Sequence, residues 1–240
     1  MARQSISDAM VRWTYLGRSE YRDCWSLQQR LSDERRAGLI DDTLLLTEHD
    51  HVYTIGRSGN EHHLLASSEE LERRNIAVVR SDRGGDITYH GPGQLVAYPI
   101  LDLRGYHLDL HRYLRDLEEV VIRTLADYRV TSGRLPGYTG VWAGGEKICA
   151  IGIKSHSWVT MHGLALNVTT DLRLFDRIIP CGIFERGVTS IREIVGREVP
   201  LEEVAGRLVA HFAQVFACTV EAVDRERICR AVAGEPAGTL

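Results

Sequence analysis

The apolar positions Tyr21, Cys24, Leu27 and Leu31 recur at helical spacing with Arg, Asp and Gln between them, and Trp25 widens the stripe. This period predicts an amphipathic helix over 19–36. Thr43 to Glu48 and Val52 to Ile55 read as strands on either side of the polar turn His49-Asp50-His51. Ser67-Ser68-Glu69-Glu70 has the form of a capping box opening a short helix to about Arg74, and Ile76 to Ser81 reads as a strand. Asp82 to Gln94 is too irregular and too rich in glycine for a helix, and a strand follows over Leu95 to Leu103. Leu110, Leu114, Leu117, Val121 and Leu125 form the cleanest stripe and predict a helix over Leu108 to Tyr128. Three strand-like runs come next: Thr139 to Trp142, Lys147 to Ser155 and Val159 to Val168. After a mixed stretch over Asp171 to Gly187, Ser190 to Val195 has the length of one or two helical turns. Pro200 suits the first turn of an amphipathic helix over Leu201 to Ala217, and the tail 233–240 is expected to fray.

Strand runs outnumber helices and come in adjacent groups instead of strict alternation. The expected fold class is therefore α+β, with a mixed, largely antiparallel sheet flanked by helices. No internal repeat and no linker rich in Pro, Ser or charge divides the 240 residues, so one domain over 1–240 is expected.

Composition narrows the function. Apolar residues make up 44% and charged residues 26%, which excludes disordered and low-complexity classes. The net charge of -4 argues against a general nucleic-acid binder. No apolar run approaches the ~20 residues of a membrane span, and Met1 to Tyr15 has no apolar core run. With five cysteines and no CxxC pair, the expectation is a reduced, cytoplasmic protein with free thiols and no metal. Lysine occurs only at 147 and 154, against 27 arginines. Where arginine is the default cation, a lysine can mark a position that arginine would not serve, since lysine can lose its proton and arginine cannot.

Three segments carry candidate chemistry. Arg83 to Gln94, RGGDITYHGPGQ, can turn sharply and be approached closely; as a sequence feature it reads equally as a hairpin turn or as a site. Lys147 and Lys154 bracket a strand run; on a continuous strand their odd separation puts them on opposite faces, so that at most one looks into a given pocket unless a bulge intervenes. Taken singly, each reads as a solvated strand-end lysine. Cys181, between Pro180 and Gly182, sits on irregular backbone where a thiol can be presented to a ligand, whereas Cys24, Cys149 and Cys218 fall within helix or strand patterns.

RGGDITYHGPGQ, KICAIG (147–152), HGLALNV (162–168) and IPCGI (179–183), in this order, resemble the lipoyl(octanoyl) transferase family of the biotin and lipoate protein ligase superfamily. The likeness spans about 40–195. It implies an α+β catalytic fold and transfer of an octanoyl group from the phosphopantetheine thioester of acyl carrier protein to a specific lysine of lipoyl domains. Those domains belong to 2-oxoacid dehydrogenase complexes and the glycine cleavage H protein. It implies no bound cofactor, no ATP, no nucleic acid and no membrane. By the resemblance, Cys181 is the acyl-thioester nucleophile and Lys147 its general base. The substrate-binding residues are then Arg83, Gly84, Gly85, Asp86, Ile87, Thr88, Tyr89 and His90, with Ala150, Ile151 and Gly152, and with Gly163, Leu164 and Ala165. Rival readings are an ATP-dependent lipoate or biotin ligase on the same fold, a cysteine hydrolase, and a non-enzymatic module that binds lipoyl domains or acyl carrier protein.

Overall fold

The computed structural model describes residues 9–179 and 187–231; Cys181 and the tail 233–240 lie outside them. The strands are β1 (Met10–Ser19), β2 (Asp42–His49), β3 (Val52–Ile55), β4 (Ala77–Arg80), β5 (Ile87–His90), β6 (Gln94–Ile100), β7 (Gly133–Leu135), β8 (Tyr138–Ala143), β9 (Glu146–His156), β10 (Val159–Asn167) and β11 (Thr219–Ala222). The helices are α1 (Tyr21–Arg36), α2 (Ser68–Arg73), α3 (Leu110–Ala126), α4 (Ile191–Val195), α5 (Leu201–Phe216) and α6 (Arg225–Ala231).

Eight strands form one sheet in the order β11-β1-β2-β6-β10-β9-β8-β7. Pairing is parallel at β11-β1 and β1-β2 and antiparallel across the rest. A second sheet, β4-β3-β5, is parallel on one side of β3 and antiparallel on the other. The mixed, largely antiparallel expectation holds.

Strand alternation sends side chains to opposite faces. Leu44, Leu46, Leu95 and Ala97 pack with Leu117, Val121, Leu208 and Phe212, which places α3 and α5 on one face. Leu45, Val96, Tyr98 and Ile100 pack with Cys24, Leu27 and Leu31, which places α1 on the other. A separate core under the small sheet joins Tyr53, Ile55, Ile87 and Tyr89 to Leu174, Phe175 and Ile178.

The turn 49–51 closes no hairpin: it carries the chain from the large sheet to the small one, since β2 pairs with β1 and β6 while β3 pairs with β4 and β5. The N-cap holds, with Ser67 Oγ accepting from Glu70 N at 3.3 Å, while the Glu70 carboxylate pairs with Arg74 and Arg177. Four of the described strands, β1, β5, β7 and β11, lie where the sequence pattern predicts none. In β1 only Val11 and Leu16 are buried aliphatics, so its alternation is diluted by Arg, Trp, Thr and Tyr. β5 lies inside the glycine-rich stretch and is recognisable only from its pairing with β3.

Phe212 is buried and stacks on Phe216 with centroids 4.4 Å apart. We expect Phe212→Ala to lower stability by about 3–5 kcal/mol, measured by urea unfolding.

Candidate functional site

A cavity of about 480 Å³ lies between the two sheets on the α1 side of the large one. Its floor is made of small residues: Ala150 and Gly152 of β9 stand beside Ala165 and Gly163 of β10, with Val96 and Tyr98 of β6 adjoining. Its roof is the loop from Arg83 to Thr88, continued by His90. Tyr138, Thr139 and Gly187 at one end are exposed, so the mouth lies there; Tyr21, Tyr98 and His162 at the other are buried and close it.

The roof rests directly on the floor. Gly84 N donates to Ile153 O at 2.8 Å. A Cβ on Gly152 would lie 2.8 Å from Gly84 O, a distance at which backbone must move. Arg83, 8% exposed, holds the loop from inside: Nη2 donates to Thr54 O (2.6 Å), Thr54 Oγ1 (2.9 Å) and Asp86 O (2.7 Å), Nε to Thr54 Oγ1 (3.1 Å) and Nη1 to Gly84 O (3.0 Å). Asp86 ties the roof to its neighbour segment, accepting from Asn60 N at 3.1 Å and meeting His63 Nδ1 at 2.5 Å.

The two lysines have different tasks. Lys147 lines the cavity near its mouth, with Nζ 4.8 Å from the centroid of the Trp142 ring, a cation–π placement. Its N–H donates to Gly187 O and its carbonyl accepts from Thr189 N, both at 3.0 Å. Lys154 is outside the cavity lining among the described residues and ion-pairs with Asp82 at 2.6 Å. The other Asp82 oxygen meets His162 Nε2 at 2.7 Å. The His162 contact first, then Lys154, holds the Asp82 carboxyl well below the usual carboxylate range, while burial keeps His162 below its ordinary value. The clasp fixes the start of the roof to the end of β9.

At the closed end the tyrosine hydroxyls and the His49 and His90 rings are hydrogen-bonded, while His162 Nδ1 is buried without a hydrogen-bond partner among the described residues. Tyr21 OH lies 3.0 Å from Ser81 Oγ, Tyr98 OH 2.7 Å from His49 Nε2, and His90 Nδ1 2.8 Å from Gln94 Oε1. Tyr21 stacks on His90 at 5.8 Å. Burial lowers His49 to about 4 and His90 to about 3, so both rings are neutral at pH 7.

Most of the residues expected from the sequence come together here. Arg83 to Thr88, His90, Ala150 to Gly152, Gly163 to Ala165 and Lys147 all border the cavity. Ile151 and Leu164 do so from positions whose side chains belong to the core under α3 and α5. Tyr89 is a correction: period-2 alternation in β5 turns it away from the cavity lining, into the small-sheet core against Tyr53 and Phe175, with its OH 2.7 Å from His51 Nδ1. Cys181 lies outside the described residues. Gln94, His162 and Asn167 also line the cavity; each sits within a quoted motif, which was the available signal. Tyr21, Tyr98 and Trp142 carried none. Cys149 is fully buried and burial pushes its thiol far up, as suits an inert side chain. Among the described residues no helix is long and apolar enough to cross a membrane, and no group of three His, Cys, Asp or Glu is arranged to hold a metal ion.

Residues 20–213 match the family model described as the lipoyl protein ligase A/B catalytic domain. The octanoyltransferase of Rubrobacter xylanophilus is 55% identical over 202 residues, covering 83% of this chain and 90% of its own. That of Chloroflexus aggregans is 51% identical, covering 84% and 93%, and that of Flavobacterium psychrophilum 46% identical, covering 85% and 96%. Among solved structures, the bipartite lipoate protein ligase of Thermoplasma acidophilum superposes with a TM-score of 0.67 at 18% identity, covering 92% and 91%. A lipoate-protein ligase A bound with ATP gives 0.66 at 17%, covering 93% of each chain. These two likenesses show the fold.

Two outcomes are expected from the geometry. Gly152→Ala should lift the roof and raise the KM for an acyl donor, read from initial rates with the melting temperature as control. The unfolded chain binds more protons than the folded one below the ordinary histidine value of 6.5, down to about 4 for His49. Stability therefore falls as pH falls through that window. Melting curves recorded across it should show the loss, and His49→Gln should flatten it.

Proposed function

Because this chain belongs to the lipoyl protein ligase A/B catalytic family and is an acyltransferase, moving octanoyl groups in protein lipoylation, we propose that it works through a Cys181 thioester with Lys147 as proton carrier. The donor is the octanoyl thioester of acyl carrier protein, and the acceptor is a lysine amine on a lipoyl domain. No ATP is consumed, because the donor arrives already activated.

In the first half-reaction the Cys181 thiol gives its proton to Lys147 and attacks the donor carbonyl. A new C–S bond forms, the donor C–S bond breaks, and the departing phosphopantetheine sulfur takes a proton back from the lysine. In the second, the acceptor amine attacks the enzyme thioester. The amide C–N bond forms, the C–S bond breaks, and the amine proton passes through Lys147 to the departing Cys181 sulfur, restoring the thiol. An arginine could not cycle in this way. The octanoyl tail lies along the small-residue floor, where each buried CH₂ contributes about 0.8 kcal/mol.

One observation carries the reading: Lys147 borders the mouth of the cavity and is hydrogen-bonded through its backbone to Gly187, six residues after Cys181. That tether spans at most about 20 Å when extended. The neutral ring wall at the closed end supports an apolar occupant.

The test is intact-mass analysis of the full chain incubated with octanoyl acyl carrier protein without ATP. An octanoyl adduct is expected on the native chain and none on Cys181→Ala. Lys147→Arg should lose roughly 10²-fold or more in transfer rate. Full transfer by Cys181→Ala, or dependence on ATP, would overturn the proposal.

A further inference from the structure

β10 pairs with β9 only as far as Leu166 opposite Cys149. Beyond that point residues 187–189 take its place beside β9 and bond Lys147 on both sides of its backbone. Asn167, the last residue of β10, bridges the gap: its Nδ2 donates to Thr189 O at 3.0 Å.

Asn167 is also one end of a longer chain. Arg83 donates to Thr54 Oγ1, which lies 3.4 Å from His90 Nε2. His90 Nδ1 lies 2.8 Å from Gln94 Oε1, and Gln94 Nε2 donates to Asn167 Oδ1 at 3.0 Å. Thr54, Gln94 and Asn167 are all at most 3% exposed. The chain can run in one direction only. A guanidinium only donates, so the Thr54 hydroxyl hydrogen is left for His90 Nε2. His90 therefore carries its proton on Nδ1, Gln94 accepts with its oxygen, and both amide orientations follow. At the far end the Thr189 carbonyl can only accept, which agrees.

We propose that Asn167 is a positioning residue for Lys147: it closes a buried, one-way hydrogen-bond chain that locks the cavity roof at Arg83 to the backbone segment flanking Lys147. The role rests on the reading that Lys147 works in the transfer. Because a misplacement of about 1 Å at a reacting group can cost ~10²-fold, losing this bridge should act on turnover more than on donor binding.

Asn167→Leu keeps the branched heavy-atom skeleton, at a somewhat larger volume, and removes both hydrogen bonds. Its kcat is expected to fall roughly 10–100-fold, with KM for the octanoyl donor within about twofold. Since Lys154 is the one other lysine in the chain, limited acetylation followed by peptide mass spectrometry supplies an internal control. The Lys147-to-Lys154 labelling ratio should shift several-fold in the variant. Asn167→Asp covers the case in which the leucine variant fails to fold. As a carboxylate it turns an acceptor toward Thr189 O; when protonated, its O–H restores the donor. Its kcat relative to the native chain should therefore recover as pH is lowered from about 8 toward the raised pKa of a buried acid. A leucine variant with native kcat, an unchanged labelling ratio, or an aspartate variant whose relative kcat is flat with pH would each overturn the proposal. Full activity in Lys147→Arg together with a shifted ratio would instead overturn the lysine's chemical role and leave the positioning intact.

Discussion

The site depends on one close approach of backbone to backbone. Gly84 in the roof and Gly152 in the floor meet with no side chain between them, and the Gly84 N–H bonds the carbonyl of Ile153. At position 152 only glycine allows that spacing, since a Cβ there would lie 2.8 Å from Gly84 O. It sets the height of the slot between the sheets, and Arg83 then fixes the roof by bonding carbonyls of its own loop and of β3. The guanidinium is committed to architecture and leaves the slot to small and apolar groups.

Apart from Arg83 and Asp86 in the roof, charge is kept at the margins of this slot. Lys154, Asp82 and His162 form a compact clasp where the roof begins, while Lys147 stands near the mouth over an indole face. Between them the polar side chains satisfy one another, so the slot presents ring faces and methyl groups although several of its residues are histidine, tyrosine and asparagine. A buried polar network of this kind is tolerable where its members are paired, as His49, His90, Gln94 and Asn167 are, and it then specifies a single arrangement.

The periodic elements were legible in the sequence: α1, α3 and α5 show a helical stripe and β2, β9 and β10 read as strands, because burial on defined faces imposes the pattern. β1, β7, β11 and α6 were not: β7, β11 and α6 are short, and β1 is half-exposed with its apolar alternation diluted by polar residues. The glycine-rich stretch could be marked as a site but its strand could not be seen, as β5 is defined by its partner β3. That blindness also explains Tyr89: without the strand there was no alternation to turn it toward the core. The resemblance of the motifs led to Lys147, and Gln94, His162 and Asn167 were inside those same motifs. Their tasks stayed hidden because a hydrogen-bond chain linking residues 83, 54, 90, 94, 167 and 189 is a property of three dimensions. Tyr21 and Tyr98 reach the cavity from elements whose apolar pattern is equally satisfied by ordinary core packing.

The edge pairing of the large sheet bears on how the molecule is made. Met10 and its neighbours in β1 lie beside Thr219 to Ala222 in parallel register. Parallel partners this distant in sequence carry a high loop-closure cost and pair late. During synthesis the outermost ladder must wait until residues 219–222 have left the ribosome, while β2, β6, β9 and β10 already have their neighbours. The growing chain therefore passes through a stage in which the first strand has an open side, and β11 is the piece that eventually blunts it.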